Sequence, residues 1–104
     1  MARTFVRVEL VGQNLNHEIS QRFSIAMGER GFGHTLKGRT SHKALRLPVG
    51  LYLIERKTAA EALELTREAA REAAVEARIV CVPAGSGVRF GNLALDDSAP
   101  SSPA

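Results

Sequence analysis

The chain has 104 residues, 44% hydrophobic, 24% charged and 5% aromatic, which is the mixture of one globular domain and too little chain for a multidomain enzyme or a large barrel. Its 14 Lys and Arg stand against 11 Asp and Glu, and the formal charge of +3 leans toward anionic partners without naming one. The one cysteine, Cys81, excludes an internal disulfide and any zinc site that draws two cysteine ligands from one chain.

Thr4 to Val11 reads as a first strand, with Val6, Val8 and Leu10 alternating with Phe5, Arg7 and Glu9. Gly12, Gln13 and Asn14 read as a turn. Asn16 is a suitable helix N-cap, because its side-chain oxygen can accept from the free N–H groups of a first turn. Ile19, Phe23, Ala26 and Met27 then follow at the spacing of one apolar helix face, and Gly31 supplies a stop, so a first helix is expected over about 16–30. Phe32 to Lys37 alternates again as a short second strand. Residues 38–43 carry no large apolar side chain and read as a loop, after which Ala44 to Leu47 can re-enter the sheet and Val49 to Arg56 makes the third strand. Its run Leu51, Tyr52, Leu53, Ile54 is apolar on both sides, the pattern of a strand covered on both faces.

Thr58 and Glu61 form a capping-box pair. The helix they open is expected to run through Ala77, with Ala59, Ala62, Leu63, Leu65, Thr66, Ala69, Ala70, Ala73, Ala74 and Ala77 on its packed half. Arg78 to Val82 is the fourth strand, closed by Pro83. This β-α-β-β-α-β order, with two helices on one face of a four-stranded antiparallel sheet, is the α+β ferredoxin-like arrangement, and right-handed crossovers give strand order 4-1-3-2. Residues 1–83 form the expected domain, 84–95 an arm or extra strand, and 96–104 a tail without large apolar residues, for which disorder is expected. Met1 to Phe5 lacks the apolar stretch of a signal peptide. No run approaches the about 20 residues that span a bilayer, so the expected place is the cytoplasm, with no membrane partner.

Charge is unevenly spread. The second helix, taken to Ala77, carries −3, whereas residues 30–57 carry +6 through Arg30, Lys37, Arg39, Lys43, Arg46, Arg56 and Lys57 against Glu55 alone. A basic connection beside a sheet suits phosphate groups. Arg3, Phe5 and Arg7 share one strand face and could bind a phosphate, a base and another phosphate, although Phe5 is better read as a core or dimer contact. Arg3, Arg7, Lys37, Arg39, Lys43 and Arg46 are therefore the candidate nucleic-acid contacts. The several aromatics of an RNA-recognition-motif sheet are absent. The apolar third strand needs a cover on the face without helices. A homodimer through that face is the expected cover, and Val88–Leu95 is the alternative, which also makes 84–95 a candidate contact for a protein partner.

Candidate chemistry is sparse. His34 and His42 flank the basic loop and could move a proton in RNA cleavage; the plain reading is one strand residue and one loop residue. His17 belongs to the first helical turn. Glu9 is a candidate Mg²⁺ carboxylate with Glu55 as its neighbour, against the plain reading of a solvent-facing strand residue, and no other cofactor is expected. Cys81 reads as a buried, inert thiol.

Val6-Arg7-Val8-Glu9-Leu10, Ala26-Met27 with Gly31-Phe32, Leu47-Pro48 followed by Tyr52, and an alanine-rich helix leading into an apolar strand together resemble the GhoS-like family over about residues 3–82. These are small bacterial proteins named for the endoribonuclease antitoxin of a type V toxin–antitoxin system. The resemblance implies a ferredoxin-like fold, similar to the small CRISPR-associated proteins of spacer acquisition, and cleavage of a toxin messenger RNA. The CRISPR-associated relatives place an acid near the end of strand one. Glu9 is the nearest match here, with a different residue type. Three functions stay open on the residues: an RNA-binding protein or endoribonuclease, a non-catalytic dimeric interaction module, and a small-ligand regulatory domain. The last needs a concave apolar pocket that the sequence does not reveal.

Overall fold

The structure, a computed structural model, describes residues 2–12, 15–37 and 44–85. The elements in chain order are β1 (Arg3–Val11), α1 (His17–Glu29), β2 (Thr35–Lys37), β3 (Ala44–Arg46), β4 (Leu51–Glu55), α2 (Ala59–Glu72) and β5 (Glu76–Pro83). The expected loop residues Arg39, His42 and Lys43, the 88–95 arm and the 96–104 tail lie outside the described residues.

β1 is the centre of a three-stranded antiparallel sheet of order β4-β1-β5. Its even-numbered residues turn toward the helices: Thr4, Val6 and Val8 are buried, and Leu10 packs at the margin of the same core. Tyr52 and Ile54 of β4, and Ala77, Ile79 and Cys81 of β5, join them on that side. From α1 come Phe23, Ala26 and Met27, and from α2 come Ala62, Ala69 and Ala70. The alanines keep α2 close to the sheet. Thr66, fully buried on the same side of α2, donates a hydrogen bond from its hydroxyl to the carbonyl of Ala62 at 2.8 Å, so its side-chain oxygen is not left unsatisfied.

Both helices begin as their sequences suggest. Asn16 accepts from the Ile19 N–H at 2.9 Å, and Thr58 and Glu61 exchange side-chain and backbone bonds of 3.2 and 3.0 Å. They also end in the same way. At α1 the Phe32 N–H reaches the Met27 carbonyl and the Gly31 N–H reaches that of Gly28, with Gly31 at φ 93°. At α2 the Val75 N–H reaches Ala70 and the Ala74 N–H reaches Arg71, with Ala74 at φ 55°. This is the Schellman closure, which needs a left-handed residue just past the cap. The expected continuation through Ala77 is therefore wrong. The helix stops at Glu72, Ala77 enters β5, and Glu76 moves from helix to strand, which reduces the charge of α2 itself to −2. Alanine periodicity misleads here because alanine suits a helix, a cap and a small strand position alike.

The expected second strand also differs. Residue 33 makes one bridge to the sheet, Gly33 and Leu53 exchanging N–H···O bonds of 2.8 Å each. β2 then pairs with β3 as a separate two-stranded antiparallel ribbon, Leu36 opposite Leu45. A single bridge stands where strand order 4-1-3-2 places a whole edge strand. The ribbon leaves the sheet plane and buries Leu36 and Leu47 against Leu53, with Phe5 and Leu51 packed alongside. So β4 is apolar on both faces because two cores meet at it. The expected cover by a second copy is supplied at Leu53 by the chain itself.

The turn into β4 brings two backbones together. Leu51 N–H bonds to the Pro48 carbonyl at 3.0 Å, and Gly50 at φ 85° takes the third position of a type II turn. Its carbonyl accepts from Val8 N–H at 2.7 Å, and a Cβ at Gly50 would lie 2.7 Å from the Val8 carbonyl oxygen. Only glycine meets both requirements.

Candidate nucleic-acid interface

The odd-numbered residues of β1 face away from the helices. Register sorts that face into rows across β4, β1 and β5. Glu55 stands opposite Arg3, Leu53 and Val82 flank Phe5, Leu51 and Val80 flank Arg7, and Arg78 stands opposite Glu9. Arg3, Phe5 and Arg7 thus do share one face, as their alternation implied. Rows repeat every two residues, about 7 Å apart.

The side chains differ in freedom. Phe5 is half-buried against the Leu36, Leu47 and Leu53 cluster, in keeping with the expected core contact. Arg3 is half-buried and Arg7 exposed, and among the described residues neither makes an ion pair. Glu9 is held by Arg78, Oε1 to guanidinium 3.1 Å, with both side chains in water. Val80 and Val82 are 59% and 51% exposed, a large fraction for valines side by side on an outer strand.

The expected pairing of Glu9 with Glu55 fails. Glu55 lies beside Arg3 and Glu9 six residues further along β1, so the two carboxylates are about 20 Å apart. Strand register separates them, and no sequence pattern carries that register. Among the described residues no three His, Cys, Asp or Glu side chains gather as a metal site. His34 is exposed just before β2, where its backbone carbonyl accepts from Leu47 N–H at 2.8 Å. His17 is exposed at the first position of α1. Arg46 is exposed on β3 opposite Thr35, and Lys37 ends β2 opposite Ala44, so the ribbon brings the two ends of the basic connection together. Cys81 on β5 is half-buried on the helix side of the sheet, not fully buried as expected, and that burial pushes its thiol up, with Arg67 a smaller opposing influence, so it stays protonated near neutral pH.

Two features escaped the sequence reading. Arg78 and the exposed valines alternate on β5, but only the β1–β5 register puts them beside Glu9, Arg7 and Phe5. The second is a cleft of about 270 Å³ between α1 and the Pro48–Leu51 turn, with Val8, Leu10 and Phe23 in its wall and Ser20, Ser24 and Tyr52 around it. The Tyr52 and Ser24 hydroxyls are 3.2 Å apart there, and the Tyr52 ring meets Phe23 and Phe32 edge to face at 6.2 and 6.3 Å. The cleft falls just short of the about 300 Å³ at which small-molecule pockets begin. Among the described residues no helix is long and apolar enough to cross a membrane. No family model, curated protein or solved structure matches the chain.

Proposed function

We propose that this chain is a small RNA-binding protein of ferredoxin-like arrangement that works in the cytoplasm, with endoribonuclease activity of the antitoxin kind as the reaction to test. The observation that carries the reading is Arg7: an exposed guanidinium without an ion pair among the described residues, set beside Phe5 and in line with Arg3 on a face that bears no helix. Guanidinium groups bind phosphate through paired N–H donors, and neighbouring apolar surface accepts base faces. The basic residues Lys37, Arg39, Lys43 and Arg46 join this reading by their place in the chain. The Gly33–Leu53 bridge and the antiparallel β4-β1-β5 order are compatible with a 4-1-3-2 sheet whose outer strand is reduced to one contact. The resemblance to the GhoS-like family points the same way.

Fluorescence anisotropy with labelled RNA tests binding, which should weaken steeply with salt and in an Arg39→Ala/Lys43→Ala variant. Incubation of RNA with and without Mg²⁺, beside a His34→Ala/His42→Ala variant, tests cleavage. Cleavage unaffected by that variant removes the histidines from the proposal.

A second reading, a dimeric protein-interaction module, is favoured by the exposed Val80 and Val82 on β5, an edge strand of the named sheet. It expects a homodimer in sedimentation at tens of micromolar, and loss of partner capture when residues 84–104 are deleted from an otherwise folded protein. A monomer that captures nothing refutes it.

A further inference from the structure

We infer that β5 pairs edge to edge with β5 of a second copy of this chain, antiparallel and centred on Val80, so that two sheets join into one. The inference rests on the interaction reading above and names its partner. Register fixes which backbone groups are free, because bonding alternates along an antiparallel pair. The Ala84 N–H bonds to the Arg3 carbonyl at 2.7 Å, so the even-numbered residues of β5 turn their backbone groups toward β1. The Val8 N–H turns the other way, to the Gly50 carbonyl at 2.7 Å, and agrees with this phase. The N–H groups of Ala77, Ile79 and Cys81, and the carbonyls of those residues and of Pro83, therefore point out of the far edge of β5. Among the described residues no strand pairs with that edge. Pro83 has no N–H to offer there.

Three observations choose a second copy as the occupant. Edge strands are commonly guarded by a charge or a proline. Here Ile79-Val80-Cys81-Val82 carries neither, Arg78 is drawn back to Glu9 at 3.1 Å, and Pro83 stands only at the strand's end. Val80 and Val82 hold 59% and 51% of their surface in water on this strand, apolar area that a neighbour would cover. The strand is also self-complementary in one register. With Val80 opposite its own copy, Ile79 of each copy exchanges both backbone bonds with Cys81 of the other, and each Ala77 N–H meets a Pro83 carbonyl. All three free donors are then used, and the valines of both copies meet on the outer face. Centred on Cys81 instead, valine still meets valine, but Ala77 falls beyond the end of the other strand. Centred on Ile79, the donors are kept, but Arg78 and Glu76 oppose the valines. A two-fold contact of this kind uses one surface twice and closes at two copies.

The test is sedimentation equilibrium of the full chain at tens of micromolar, with cross-linking to read the register. A dimer is expected. Val80→Lys, at a position exposed in the single copy, sets two cations opposite each other. It should raise the dissociation constant by about tenfold or more and leave the circular dichroism spectrum unchanged. The central pair is of the non-hydrogen-bonded kind, with Cα atoms about 4.5 Å apart, so Val80→Cys with Cys81→Ser should form an intermolecular disulfide under oxidised glutathione. Val82→Cys with Cys81→Ser should not, because the two residues 82 then lie about 14 Å apart. A dimer left intact by Val80→Lys, or one cross-linked through residue 82 and not through residue 80, overturns the inference while the interaction reading stands. A monomer overturns it as well. Protection of the Ile79 and Cys81 amides from hydrogen exchange in that monomer would assign the edge to another segment of the same chain, and a monomer that captures no partner removes the interaction reading too.

Discussion

Replacing Ala74 by glycine should stabilise this protein. Ala74 sits at φ 55° just past the end of α2, the position Gly31 fills at φ 93° past α1. Both close the same pair of backbone bonds. A left-handed conformation costs a residue with a Cβ about 1–2 kcal/mol. Glycine avoids that cost but loses more freedom on folding, which offsets about 0.4–1 kcal/mol. The net gain is about 0.5–1 kcal/mol. Ala74 is exposed, so its methyl group contributes little packing to set against this. In urea denaturation the midpoint should rise with an unchanged slope, and for a domain of this size the melting temperature should rise by about 2–8 °C. The sign decides the argument. If the helix ran on through Ala77, as its alanine spacing suggests, glycine at 74 would lie in a helix interior and cost about 1 kcal/mol. A lowered midpoint would therefore refute the Schellman ending of α2 and restore the longer helix.

Gly50→Ala should destabilise by at least about 2 kcal/mol in the same assay, because it adds left-handed strain to a Cβ set 2.7 Å from the Val8 carbonyl oxygen. Leu47→Ala should cost about 2 kcal/mol, the lower end for a buried leucine, since it opens only the small cluster between the ribbon and β4; a change below a few tenths would mean that the ribbon does not cover Leu53. The capping box should be pH-dependent. Bonds from the backbone N–H and then the hydroxyl of Thr58 hold the Glu61 carboxyl below its usual range. Its contribution is complete above the ordinary glutamate pKa of about 4.3 and is lost as pH falls through the lowered folded value. Melting curves from pH 7 to pH 3 should show Glu61→Gln losing less stability with acid than the parent, because glutamine keeps the box without titrating.

Much was legible in the residues because their meaning is local. Asn16, Thr58 and Glu61 mark helix starts wherever they occur, Gly31 marks a stop, and the alternation from Thr4 to Val11 assigns the two faces of β1 before any partner strand is known. The face carrying Arg3, Phe5 and Arg7 was readable for the same reason. Local pattern went astray where one residue type serves several conformations, as with the alanines from Ala73 to Ala77. Tertiary structure alone decided what lies across from what. It parted Glu9 from Glu55 by about 20 Å, put Arg78 beside Glu9, and placed Val80 next to Arg7. It turned the β2–β3 ribbon onto the outer face of β4 instead of extending the sheet. The physical reason is that backbone hydrogen bonds pair any two strands alike. Which register and which cover prevail is set by the total apolar surface removed from water, a quantity that belongs to the assembled chain and to no segment of it.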